Sequence, residues 1–142
     1  MSDPLYAKDL LRLAAAAVGA GRLSPFEAEG LAYNPACGDR IAVTLRLDSK
    51  GQINAIAHET SACVLAQASA SILGAHLAGA DAAAVGALRD SVVAMLRDGV
   101  EPAAPFADYR VLRGAAIYPS RHACVLLPID AVLDAMKQRP SN

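Results

Sequence analysis

The chain has 142 residues, a formal net charge of −1 and 54% hydrophobic residues, with no tryptophan and 4% aromatic residues. This length suffices for a real hydrophobic core, so we expect residues 1–142 to form one domain built from Leu, Val, Ile and Ala. A nucleic-acid-binding protein needs a basic surface to neutralise phosphates, and the balanced charge argues against that class. No apolar run reaches the roughly 20 residues that a membrane-spanning helix requires, so we expect no membrane partner.

The first predicted element is a helix near the N-terminus. Asp3 and Pro4 are a typical helix start, with an N-cap acceptor followed by proline at the first helical position. The apolar stretch 10–20 is also compatible with a signal peptide, but acidic residues precede it and Arg12 interrupts it. We therefore predict a helix, no secretory signal and a cytoplasmic location.

Strands are predicted in the next part of the chain. A short strand is expected at residues 31–34. Residues 40–47 alternate polar and apolar side chains with the period of two that is typical of a half-buried strand. A tight turn at residues 48–51 then leads into a returning strand over residues 52–60. This hairpin is the clearest β signal in the sequence.

The rest of the chain is predicted to be helical, over residues 64–77, a helix capped by Asp81, residues 108–115 and residues 121–137. Pro128 is expected to kink the last helix or to start a new segment. The buried face of the helix after Asp81 is predicted to contain Val85, Leu88, Val92, Met95 and Leu96. The predicted fold class is α+β, a small antiparallel sheet of about three strands with helices packed on one face.

Three cysteines are the candidates for chemistry. Without a secretory signal, an odd number argues against a disulfide framework, and each one alone is most simply a buried hydrophobic residue. Cys37 lies in a predicted turn, Cys63 at a helix start and Cys124 in the first turns of the last helix. All three therefore lie at element ends and none in a core stripe. Because helix N-termini carry partial positive charge, we expect a lowered thiol pKa at Cys63 and Cys124.

Asp39 adds a carboxylate two residues after Cys37. In an extended or turn segment such residues can point to the same side, and three thiolates with one carboxylate complete a tetrahedral ligand set. Sulfur-rich sites select zinc or iron–sulfur clusters over hard cations. The carboxylate is the weakest of the four ligands, which suits a site that must release what it holds. Spacing alone leaves this shared site and independent cysteines equally open, because there is no CxxC pair.

The segments around the cysteines form an ordered pattern: Asn34-Pro35-Ala36-Cys37-Gly38-Asp39, then Cys63–Ser71 with its A-S-x-S signature, then Tyr118–Cys124. Together they resemble the IscU/SufU/NifU-type iron–sulfur scaffold family, and the likeness runs over residues 6–136. The long spacing between Cys63 and Cys124, with its extra stretch around residues 100–112, is similar to the SufU-like branch, as is Arg121.

The resemblance implies both a function and a ligand set. Cys37, Asp39, Cys63 and Cys124 would bind a transient iron–sulfur cluster or Zn²⁺. Sulfur would come from a cysteine desulfurase of the SufS type, and the cluster would pass to downstream acceptor proteins, so the chain would be a scaffold or sulfur carrier more than a turnover enzyme. The same ligands fit an alternative, a zinc-dependent sulfurtransferase in which Cys37 accepts persulfide and so activates the desulfurase. They also fit a purely structural zinc module.

Other polar residues have simpler interpretations. His122 is expected to be a solvated histidine near a helix start, because residues i and i+2 of a helix point to separate faces. His58 is expected to be a core or edge histidine. Ser69 and Ser71 have no histidine–acid pair to activate them, so we expect them to be small packing residues. Residues 60–62 replace the glycines that usually precede the second cysteine of the family.

Overall fold

The computed structural model describes residues 8–138 and contains, within that range, a three-stranded antiparallel sheet and four α-helices. The predicted helix start at Asp3 and Pro4 lies outside the described residues. In chain order the elements are α1 (Lys8–Ala16), β1 (Ala28–Asn34), β2 (Asp39–Leu47), β3 (Ile53–Ser61), α2 (Val64–His76), α3 (Ala82–Asp98), a 3₁₀ segment (Ala107–Ile117) and α4 (Pro119–Gln138).

The sheet has the strand order β1-β2-β3, and both neighbouring pairs are antiparallel. The predicted α+β class is therefore confirmed. β1 is longer than predicted, because it begins at Ala28 and not at Leu31. Its first residues are small, and Ala28 and Gly30 are buried beneath a helix. A strand whose inward positions carry almost no side chain shows no hydrophobic alternation. The sequence pattern therefore missed the first residues of β1.

The packing of α4 on β1 sets the architecture. A Cβ atom added at Gly30 would overlap the carbonyl oxygen of Ala131 and the amide nitrogen of Ala135. The two backbones therefore touch, which only glycine permits at this position. One carboxylate oxygen of Asp134 also accepts a hydrogen bond from the Leu31 amide, at 2.9 Å. α4 is thus fixed to the edge strand by both backbone contact and hydrogen bonding.

The segment after α1 is held against α2 and β3. The Val18 amide donates to Ser71 Oγ at 3.0 Å, and the Val18 carbonyl accepts from His58 Nε2 at 2.8 Å. Gly19 and Gly21 continue this contact through backbone hydrogen bonds to His58. His58 is buried, which confirms its expected place in the core, and burial lowers the pKa of its imidazole. The neutral ring is therefore the form that fits here.

α3 and α4 complete the core. The five apolar residues predicted for the buried face of α3 are all buried, and the Asp81 side chain accepts from the Ala84 amide at 2.8 Å, as expected of an N-cap. Arg89 joins α3 to Asp130 of α4 at 2.6 Å. α4 continues through Pro128, so this proline does not start a new segment. No helix among residues 8–138 is long and apolar enough to cross a membrane.

We predict that Gly30→Ala destabilises the fold, since the new methyl group would force α4 away from β1. Overpacking a tight interface costs about 1–3 kcal/mol, which urea unfolding at equilibrium would measure.

Gly86→Ala in α3 is the matched control. Nothing lies within 4 Å of the added Cβ there, and alanine is favoured over glycine in a helix by about 1 kcal/mol. Equal effects of the two substitutions would contradict the proposed backbone contact.

Candidate metal and cluster site

The turn between β1 and β2 carries the first two candidate ligands. Asn34 builds this turn, because its side-chain oxygen accepts from the Ala36 amide at 3.1 Å and its carbonyl accepts from the Gly38 amide at 2.8 Å. Gly38 has φ +76°, a left-handed conformation that favours glycine. The turn leaves Cys37 exposed and returns the chain into β2 at Asp39, which is buried.

The other two cysteines come from helix starts. Cys63 is the N-cap residue of α2 and is half-buried. The pairing of Arg40 with Ser61 puts the end of β3 beside the start of β2 and thereby brings Cys63 near Asp39. Cys124 lies in the second turn of α4 and is only 1% exposed. The expectation that no cysteine belongs to a core stripe is therefore wrong for Cys124, because it joins the main hydrophobic cluster.

Folding brings the predicted ligands together. The sulfur atoms of Cys37 and Cys124 and a carboxylate oxygen of Asp39 all lie within 4.8 Å of one another. Cys63 lies outside that tightest group, but its thiol interacts with the Asp39 carboxylate and with the Cys124 thiol. Two sulfur atoms and one carboxylate oxygen, from residues far apart in sequence, thus lie close together, and the Cys63 thiol is next to them.

Asp39 is the least satisfied member of this group. It is 7% exposed, and its Oδ2 has no hydrogen-bond partner among the described residues. A buried carboxylate oxygen that lacks a partner is costly, and such groups normally neutralise themselves or bind a cation. The carboxylate therefore has the features of a metal ligand.

The thiol pKa values differ from the expectation based on helix N-termini. Burial raises the pKa of Cys63, and the Asp39 carboxylate raises it further, although the amide of Ala66 acts in the opposite direction. Burial also raises the pKa of Cys124, with additional contributions from the thiols of Cys63 and Cys37. The expected lowering is thus wrong, because desolvation and neighbouring acidic groups outweigh the helix ends.

The same arrangement fits a soft cation. A bound metal ion reverses the local electrostatics, since a coordinating thiol is deprotonated by the ion itself. Three thiolates and one carboxylate match the donor number and chemistry of zinc or of an iron–sulfur cluster. The residues present therefore fit the group that the sequence pattern indicated.

The nearby histidine is engaged elsewhere. Nε2 of His122 donates to the Ala116 carbonyl at 3.1 Å, so this ring ties α4 to the 3₁₀ segment. Ser69 and Ser71 are fully buried and hydrogen-bonded, in agreement with their expected packing role.

Sequence reasoning missed the apolar surface beside the turn. Leu31 and Tyr33 on the outer face of the sheet are 65% and 62% exposed. β1 has no hydrophobic alternation that would have identified its outer face, because its inward residues are small.

A model of the NifU-like N-terminal domain matches residues 5–125, a range that includes all four candidate ligands. The chain belongs to the NifU-like N-terminal domain family. The resemblance indicated by the three cysteine segments is therefore confirmed. No curated protein matches the chain.

Solved structures share the NifU-like fold. A nitrogen-fixing NifU-like protein (N-terminal) from Brucella abortus is 34% identical, with 96% of this chain and 94% of that chain covered and a TM-score of 0.88. A hypothetical protein is 26% identical, with coverage of 96% and 100% and a TM-score of 0.80. A candidate iron–sulfur cluster assembly scaffold of the SUF system from Fervidobacterium islandicum AW-1 is 19% identical, with coverage of 96% and 99% and a TM-score of 0.81, which shows a common fold.

We predict a fixed order of thiol alkylation in the metal-free protein. Cys37 is exposed, Cys63 is half-buried and Cys124 is buried, so iodoacetamide should modify them in that order. Peptide mass spectrometry over a time course would measure the three rates, and urea-unfolded protein is the control in which they converge. Modification of Cys124 in the folded protein as fast as Cys37 would contradict the described site.

Proposed function

We propose that this protein is a scaffold on which an iron–sulfur cluster is assembled and from which it is released. The observation that carries the proposal is the convergence of Cys37, Asp39 and Cys124 within 4.8 Å, with Asp39 Oδ2 lacking a hydrogen-bond partner among the described residues. The interactions of Cys63 with Asp39 and Cys124 support a fourth ligand at the same point. Family membership supports the same conclusion, since the matching region contains all four residues.

The four ligands have different exposures, and we assign them different parts. Cys63 and Cys124 are shielded by α2 and α4 and provide the lasting sulfur contacts. Asp39 provides an oxygen ligand that a soft centre exchanges more readily than thiolate. Cys37 lies on an exposed turn, so iron and sulfur arrive and leave on its side. The cluster is the cargo of this site, and its release is part of the function.

Sulfur delivery follows from the exposure of Cys37. We propose that a cysteine desulfurase of the SufS type presents a cysteine persulfide to this turn. The Cys37 thiolate attacks the outer persulfide sulfur, the S–S bond of the donor breaks, and the donor cysteine leaves as a thiolate. Downstream acceptor proteins then receive the finished cluster. The site needs reduced thiols, so a cytoplasmic location remains our prediction.

We predict that anaerobic reconstitution with iron and sulfide gives charge-transfer absorption in the visible region, and that Cys124→Ala abolishes it. Changes in the outer shell of a metal site already cost about 10–100-fold in affinity, so the loss of a buried thiolate ligand should cost at least as much.

Asp39→Cys should still bind the cluster but transfer it more slowly to an apo-ferredoxin, because thiolate exchanges less readily.

Asp90→Ala provides the control for the Asp39 variant, since it removes an exposed carboxylate from α3. It should leave both cluster binding and transfer unchanged. A colourless product from the wild-type protein would refute the scaffold function.

The exposure of Cys37 also favours a second candidate, a zinc-dependent sulfurtransferase. Bound zinc would be held by the same four residues, and Cys37 is the ligand that a docked partner can reach and withdraw. In that case the thiol of Cys37 is the persulfide acceptor and the site serves sulfur transfer without building a cluster. The two candidates differ in whether the partner enzyme is stimulated.

For this alternative we predict that the zinc-loaded protein raises the turnover of a SufS-type desulfurase, and that Cys37→Ser removes the stimulation because the acceptor thiol is lost. Sulfide release in the presence and absence of the protein would measure it, with the zinc-free protein as the control. A cluster that forms without any stimulation would favour the scaffold. Bound zinc that resists chelators, in a protein that neither forms a cluster nor stimulates the desulfurase, would indicate a structural module.

A further inference from the structure

A buried hydrogen-bond chain connects the helices that carry Cys63 and Cys124. Ser69 Oγ donates to the Val125 carbonyl at 2.8 Å, and the Tyr109 hydroxyl lies 2.8 Å from the same Oγ. A carbonyl can only accept, so the Ser69 hydroxyl is the donor to Val125, and the Tyr109 hydroxyl also lies 3.4 Å from the Ser69 carbonyl. The chain therefore links Tyr109 of the 3₁₀ segment, through Ser69 of α2, to the backbone of α4.

This chain is completely shielded from water. Ser69 and Tyr109 are both 0% exposed, and burial raises the pKa of Tyr109, so the phenol stays protonated and remains a donor. Hydrogen bonds in such surroundings are strong and reinforce one another. They fix the position of the groups they join more tightly than apolar packing alone.

The hydrogen-bond chain contacts α4 next to a position where the helix lacks one of its own backbone hydrogen bonds. In an α-helix the amide of residue i donates to the carbonyl of residue i−4. Residue 128 is proline and has no amide proton, so the carbonyl of Cys124 loses its partner within the helix. The next carbonyl, that of Val125, is the one that Ser69 binds. A bond from another helix thus supports α4 beside the place where its own ladder is interrupted.

The connected residues lie next to the ligands. Ser69 belongs to α2, whose N-cap is Cys63, and Val125 directly follows Cys124. We propose that Ser69 and Tyr109 are positioning residues that hold α4 against α2, so that the Cys124 sulfur stays in bonding distance of the shared site. This inference rests on the proposed function of the four ligands. It assigns a role to a serine that we first interpreted as packing and to a tyrosine of the 3₁₀ segment.

The test compares Ser69→Ala with Ser71→Ala. Both serines are fully buried on α2, but the Ser71 hydroxyl accepts from Val18 and does not reach α4. The two substitutions therefore remove the same group from the same helix, and only one of them cuts the connection to α4. Tyr109→Phe is a third variant that keeps the ring and removes the outer bond of the chain.

The first measurement uses Co²⁺ alone as the probe, because its sulfur-to-metal charge-transfer and d–d bands report ligand geometry. We expect Ser69→Ala to weaken Co²⁺ binding about tenfold, the lower end of the range for outer-shell changes, and to shift the d–d bands. Tyr109→Phe should weaken Co²⁺ binding and shift the d–d bands in the same direction as Ser69→Ala, but by smaller amounts. Ser71→Ala should leave both as in the wild type, even where it lowers the free energy of unfolding.

The second measurement needs no metal. The rate of iodoacetamide modification at Cys124 in the folded metal-free protein should rise in Ser69→Ala and Tyr109→Phe and stay unchanged in Ser71→Ala. Equal rates and equal Co²⁺ spectra for the two serine variants would overturn the positioning role. If Ser69→Ala does not fold, the same comparison between Tyr109→Phe and Ser71→Ala decides.

The two measurements separate this inference from the proposed function. Wild-type protein that fails to bind Co²⁺ would refute the metal site, whereas the alkylation rates would still report whether Ser69 and Tyr109 fix Cys124.

Discussion

The backbone contact between α4 and β1 at Gly30 is the constraint on which the rest of the structure depends. α4 supplies Cys124, and β1 leads into the turn that supplies Cys37 and Asp39. A side chain at this position would push α4, and with it the buried Cys124 sulfur, away from the turn. The absence of a side chain at one position of β1 therefore sets the distance between ligands that are more than eighty residues apart in sequence.

That close approach concentrates acidic groups in a small, water-poor space. Burial and mutual interaction raise the pKa of Cys63 and of Cys124, and Asp39 keeps a carboxylate oxygen without a hydrogen-bond partner among the described residues. Such a cluster is unfavourable by itself. A divalent cation or an iron–sulfur cluster at these residues would relieve both costs together, so the same electrostatic cost supports the proposed affinity for cargo. In the proposed scaffold, the oxygen ligand would moderate this affinity and permit release.

Much of this arrangement was accessible from the sequence, and the exceptions have physical causes. Local patterns identified the hairpin, the cap at Asp81 and the buried face of α3, because each depends on neighbouring residues. The start of β1 was missed because Ala28 and Gly30 are small where a strand normally shows large apolar residues. The four candidate ligands were proposed through motif resemblance, whereas the raised thiol pKa values and the connection from Tyr109 to α4 depend on tertiary packing, which local spacing does not encode.

The hydrogen bond from the Leu31 amide to Asp134 has a further consequence for the behaviour of the protein at high concentration. β1 is the outermost strand of its sheet, and an outermost strand with free backbone groups invites pairing with another polypeptide. Here a carboxylate from α4 already occupies one of those groups, so an incoming strand must displace a charged side chain before it can add to the sheet. The helix that carries Cys124 thereby also opposes the pairing of β1 with a second copy of the sheet. This matters at β1 because its own side chains Leu31 and Tyr33 are apolar and exposed.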